Sequence, residues 1–161
     1  MAERKHSKIG PVTAQQLAAA VLAGHAYNTH GLLDKAERIF AGIVVVDPEN
    51  AYAHMMLGSI YERQEKLDEA IAHYSEAIRV FPQDITSLAG RGELYLRTGN
   101  LIAAAADFEK ASSLDPEHTN PSANRARLLA MTAHAVLSVA AEEGAQGLEK
   151  AKTIIDKTIS K

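Results

Sequence analysis

Along most of the chain apolar residues recur three and four positions apart, the spacing that places them on one face of a 3.6-residue helix. Val21, Gly24 and Tyr27 begin such a stripe, Asn28-Thr29-His30-Gly31 interrupts it, and Leu33, Ala36, Phe40, Ile43 and Val44 resume it. Two antiparallel helices joined by a short turn are predicted. The same alternation pairs AYAHMMLGSIYERQ with LDEAIAHYSEAIRVF, and ITSLAGRGELYLRT with LIAAAADFEKASSL. Three helical hairpins and an all-α chain follow. Beyond them, Asn120 before Pro121 predicts a capped helix start, and Leu128, Met131, Ala135 and Val139 carry an apolar stripe to about Ala141. EEGAQG then reads as a turn, with Gly144 suited to a left-handed conformation, before a last stripe of Leu148, Ala151, Ile155 and Ile159. Residues 1–12 lack a periodic apolar face and are expected to form a flexible arm.

The hairpins share one register. Gly24, Gly58 and Gly92 stand at a constant 34-residue interval, as do Tyr27, Tyr61 and Tyr95, then Ala36, Ala70 and Ala104, then Phe40, Tyr74 and Phe108, and finally Pro48, Pro82 and Pro116. The repeated glycine and alanine read as devices for close helix approach, and all six aromatic rings are expected in the core. Two residues after each proline stand Asn50, Asp84 and His118, the first two being good N-caps. This order of glycine, tyrosine, alanine, aromatic and proline resembles the tetratricopeptide repeat, TPR. The resemblance implies an α-solenoid of three antiparallel hairpins, with units at about 17–48, 51–82 and 85–116 inside a region 13–118. After Pro116 the register continues, but Arg125, Ala126 and Leu129 occupy the Leu-Gly and tyrosine positions. Residues 119–161 are therefore expected to cap the stack with one helix and add a final amphipathic one.

Composition narrows the function. Lys+Arg 17 against Asp+Glu 20 gives a formal net charge of −3, which offers no general attraction for nucleic acid. With Cys 0 there is neither a disulfide framework nor a thiolate metal site. No apolar run behind the basic residues of MAERKHSKIG suggests a signal peptide, and none is long enough to insert in a membrane, so a cytoplasmic location is expected. His25 and His30 are five apart, and no HExxH pattern occurs; His54 and His73 are expected as satisfied surface or boundary residues. GRGEL reads as helix interior rather than a phosphate cradle, and Glu62, Glu65, Asp68 and Glu69 as a solvated helix end without raised pKa values. Neither an enzyme nor a cofactor is implied.

In the family that the chain resembles, the first helix of each pair lines a concave groove that takes extended peptides. The resemblance nominates Val21, Leu22, His25 and Asn28 in the first unit, Tyr52, Met55, Met56, Ser59 and Glu62 in the second, and Thr86, Ala89, Gly90, Glu93 and Arg97 in the third, with Asn124, Arg127 and Met131 extending the wall. Family members that grip the terminal carboxylate of heat-shock chaperones do so with lysine, asparagine and arginine. Here Val21, His25, Met56, Thr86 and Gly90 stand where that clamp should be, and none can hold a carboxylate as a charge-assisted pair. An apolar floor with two adjacent methionines suits a protein or peptide client with apolar anchors. The segment from Gly31 to Ala77, with Ala36, Phe40, Ile43, Asp47, Leu57, Gly58, Gln64, Ala70 and Tyr74, also resembles class II chaperones of type III secretion. That implies a chaperone for a hydrophobic translocator and keeps a second copy of the chain among its partners. The alternative is an assembly scaffold joining folded subunits.

Overall fold

The computed structural model describes residues 12–143 and Thr153. It contains seven helices in that stretch: α1 (Ala14–Thr29), α2 (Leu33–Val46), α3 (Ala51–Arg63), α4 (Leu67–Val80), α5 (Ile85–Arg97), α6 (Leu101–Ser113) and α7 (Pro121–Glu143). The first six make the three expected hairpins, and α7 covers the last. The expected arm up to residue 11 and the Leu148–Ile159 stripe lie outside the described residues.

Helix starts follow side-chain chemistry. Asn50 Oδ1 accepts from the Ala53 amide at 2.9 Å, and Asp84 Oδ1 from the Thr86 amide at 3.2 Å. His118 instead takes φ +58 in the α6–α7 turn, and Asn120 caps α7 by accepting from Ser122 and Ala123. Upstream, Thr13 and Gln16 form a reciprocal capping box on α1.

Helix ends repeat too. A left-handed residue recurs every 34 positions, at Gly31 (φ +74), Glu65 (φ +59) and Gly99 (φ +81). In each case the next residue donates to the repeat tyrosine: Leu32 to Tyr27 at 2.9 Å, Lys66 to Tyr61 at 2.9 Å and Asn100 to Tyr95 at 2.8 Å. The left-handed residue itself donates to the next carbonyl, so each first helix closes in a Schellman motif.

The helices form two layers. α3 touches α5 and α5 touches α7, whereas no comparable contact joins α2 to α4 or α4 to α6. The layer with the closer helices lies inside the curve, so α1, α3, α5 and α7 present the concave face. Between the layers, Phe40, Tyr74 and Phe108 are buried at 0%, 3% and 0% exposure. Each fills the space left by a glycine of the partner helix: a Cβ on Gly24, Gly58 or Gly92 would come within 2.8 Å, 2.7 Å or 2.6 Å of the ring.

Two expectations about the core need correction. Tyr27, Tyr61 and Tyr95 are only half-buried. Each carries a cation over its ring, Lys35, Lys66 and Arg91 respectively, at 5.2–5.6 Å from the centroid. They lie at the exposed ends of the hairpins, where the turn keeps one side of the ring near water. His54, expected as a satisfied surface or boundary residue, is buried, its ring bonded to the α2–α3 turn and to α4.

Candidate functional site

The concave face changes character along its length. At its N-terminal end Leu17, Val21 and Leu22 of α1 and Asn50 and Tyr52 at the start of α3 enclose a cleft of about 490 Å³. Leu22 is 72% exposed and Tyr52 40% exposed, so apolar surface stands open to water here. Tyr52 is held by an edge contact with Phe40, ring centroids 6.2 Å apart, and its hydroxyl lies 3.5 Å from His25 Nδ1. Deeper in, half-buried Met55 packs against the apolar clusters of both adjoining repeats. Ser59 on α3 is half-buried and Thr86 on α5 is exposed.

The middle of the face is polar and tightly paired. Glu93 takes both ends of a forked contact from Arg125, at 2.6 Å and 2.9 Å. Arg97 pairs with Glu65, and Arg63 donates to the Asn28 carbonyl and side chain at 2.9 Å and 2.6 Å. Glu62 accepts from the Tyr74 hydroxyl at 3.0 Å. Burial pushes the Glu62 carboxyl above its ordinary pKa, the Tyr74 hydrogen bond pulls it down, Glu93 raises it and Arg97 and Arg125 lower it, the balance being upward. The expectation of a plain solvated carboxylate fails for Glu62, because Tyr74 and the paired side chains of α5 and α7 screen it from water.

Five nominated residues serve other ends. Met56 and Ala89 are in the core at 5% and 4% exposure. Met56 shares its register position with Leu22, yet a terminal repeat leaves this position open while a central repeat is closed by neighbours on both sides. Asn124 donates to the His118 carbonyl, and Arg127 donates to the carbonyls of Ser112 and Asp115, so both serve the α6–α7 turn instead of the groove. Gly90 gives clearance to Tyr74, whose Cζ would lie 2.7 Å from an added Cβ. Met131, on α7, is 70% exposed. Register reasoning missed Arg125, which stands where a TPR has its conserved leucine; the signal available was the complementary Glu93 on the preceding first helix.

Among the described residues no group of three or more His, Cys, Asp or Glu could hold a metal ion, and no helix is long and apolar enough to cross a membrane.

Comparison with known structures places the geometry. The chain superposes on the type III secretion translocator chaperone SycD of Yersinia enterocolitica with a TM-score of 0.74 at 16% identity, covering 79% of this chain and 89% of that one. It superposes on PcrH, a protein of Pseudomonas aeruginosa, in complex with the chaperone binding region of PopD, with a TM-score of 0.72 at 21% identity over 79% and 97% of the two chains. The second TPR domain of human RPAP3, in complex with the HSP70 peptide SGPTIEEVD, gives 0.65 at 23% identity over 76% and 98%. No curated protein sequence matches the chain. Tetratricopeptide repeat family models match residues 21–85 and 57–132. Together these two matches span more than two thirds of the sequence, and the chain belongs to the tetratricopeptide repeat family.

Proposed function

We propose that the concave face holds an extended segment of a client protein through apolar anchors and keeps it from aggregating, the client being of the hydrophobic translocator kind. The observation that carries this reading is the open apolar cleft between Leu22 and Tyr52. An anchor leaving water there contributes roughly 25 cal/mol per Å² of apolar area before the cost of ordering the segment. The groove cations support the same reading by exclusion: Arg97 and Arg125 are already paired with Glu65 and Glu93. Gripping the acidic end of a heat-shock peptide would require breaking those pairs. The complex of PcrH with the PopD region adds support by fold likeness.

The test uses two labelled peptides, the chaperone binding region of PopD as apolar probe and SGPTIEEVD as acidic probe, read by fluorescence anisotropy. The apolar probe is expected to bind and the acidic one to fail. Leu22→Glu with Tyr52→Glu, both at exposed positions, should abolish binding without changing helical content. Undiminished binding by that variant would move the site off this face. An assembly scaffold is the second reading, favoured by Val45 and Ile102, 82% and 76% exposed on the outer layer. Recovery of folded subunits whose capture survives the Leu22/Tyr52 variant but is lost with Val45→Glu and Ile102→Glu would favour it.

A further inference from the structure

His54 stands on the first turn of α3 and is 6% exposed. Its Nε2 lies 3.1 Å from the carbonyl oxygen of Pro48 in the α2–α3 turn, and its Nδ1 lies 3.1 Å from Nδ1 of His73 on α4. A carbonyl can only accept, so His54 carries its proton on Nε2. Neutral His54 then offers Nδ1 as an acceptor, and His73 must donate Nδ1–H to it. Both tautomers are thereby fixed. One donor and one acceptor at 3.1 Å make the contact a hydrogen bond.

The proton count limits this contact. A first added proton goes to His73 Nε2, the nitrogen left open, and the hydrogen bond survives. A second must go to His54 Nδ1, where it meets the Nδ1–H of His73. Two donors and two positive charges would then face each other at hydrogen-bond distance. We propose that His54 and His73 form an acid-released latch between α3, α4 and the α2–α3 turn, closed while the pair carries at most one positive charge and opened when both rings are protonated.

The surrounding charges bear on when it opens. On α4, Glu76 lies one turn beyond His73 and pairs with Arg79 at 2.7 Å, and Arg79 also holds Glu49 of the α2–α3 turn at 2.9 Å. From α3, Tyr61 stacks on His73 at 5.3 Å; its hydroxyl donates to Glu37 of α2, Lys66 lies over its ring, and the charge of Glu69 reaches it. Glu76 favours an imidazolium. Burial and then the second imidazole oppose it, and they prevail, holding His73 below its ordinary pKa.

The sign is fixed by linkage. For His73 the unfolded ring takes up its proton near pH 6.5 and the folded one only at lower pH, so stability is lost as pH falls from about 6.5 through the folded-state value. α3 also carries Tyr52 and Met55, and opening the latch frees the turn that positions them. Mild acid therefore loosens one wall of the cleft.

Proton NMR of the histidine rings from pH 8 to pH 4.5 tests this in the wild-type chain, beside thermal unfolding of the wild type and His73→Gln. Glutamine can still donate to His54 Nδ1 but does not titrate. The His73 resonances are expected to titrate below about pH 6.5 with those of His54 responding to the same step, and amide exchange in the first turn of α3 to quicken by about tenfold per unit of downward shift at His73 as acid opens the latch. The wild type should lose more of its thermal midpoint on acidification than His73→Gln. Titration of His73 near pH 6.5 with no response at His54, or equal acid loss in the two proteins, would overturn the proposal. Should His73→Gln fail to fold, the ring titration decides alone.

Discussion

Gly58 lies directly against the ring of Tyr74, so close that an added Cβ would come 2.7 Å from Cδ1 and 2.8 Å from Cε1. Gly90 on the next first helix crowds the same ring from Cζ and the hydroxyl. Tyr74 is thus wedged between two glycines on successive first helices. Gly58→Ala is expected to overpack this junction and destabilise by about 1–3 kcal/mol, despite alanine's better helix propensity. Urea unfolding monitored by circular dichroism checks it. An unchanged or raised midpoint would mean that the glycine is not a packing device.

Arg91 and Asp107 join α5 to α6 through two parallel bonds of 2.8 Å, with Arg91 also donating to Ser75 at 3.0 Å. Their side chains are 19% and 9% exposed. Asp107→Ala leaves a half-buried guanidinium without its carboxylate partner and should cost about 1.5–3 kcal/mol, whereas Arg91→Met with Asp107→Leu should come close to neutral. The two variants, compared by denaturant midpoint, separate the cost of an orphaned charge from the worth of the pair. Equal losses would show that shape rather than charge governs this junction.

What could be read in advance was whatever repeats. The glycine, alanine and ring positions at 34-residue spacing announced the three hairpins because each is a steric requirement met again in every unit. Asn50, Asp84 and Asn120 announced helix starts for a similarly local reason, a side-chain oxygen facing bare amides. The candidate groove was less legible, because exposure depends on neighbours that the register does not contain: Leu22 and Met56 are equivalent in sequence, yet one stands in water and the other in the core. Charge pairing across repeats, such as Glu93 with Arg125, likewise depends on the stacking geometry. The buried His54–His73 contact escaped because neither histidine recurs in the next unit.

Glu65 occupies a left-handed position that its equivalents in the neighbouring repeats fill with Gly31 and Gly99. A side chain there costs about 1–2 kcal/mol, while its exposed pairing with Arg97 returns at most about 1 kcal/mol. Glu65→Gly is therefore expected to hold or slightly raise the thermal midpoint, the small balance of those two terms, even though it deletes an ion pair. A clear loss would mean that the Glu65–Arg97 contact contributes more than an exposed pair should.

Glu62 joins the fold's energetics to the groove. Burial raises its pKa, so the ionised carboxylate opposes folding, and the wild type should lose stability as pH rises from the ordinary carboxylate range through the raised folded-state value. Glu62→Gln retains an oxygen to accept from Tyr74 and removes the charge. The variant is expected to match the wild type near pH 4, where both are neutral, and to be the more stable of the two at pH 7. Unfolding midpoints of the pair across that range test the sign. In peptide titrations the same substitution should leave an apolar probe bound, since the cleft at Leu22 and Tyr52 is untouched. If Glu62→Gln instead abolished binding while raising stability, the carboxylate would be a direct contact for the client, and the centre of the groove would read its charge as well as its apolar anchors.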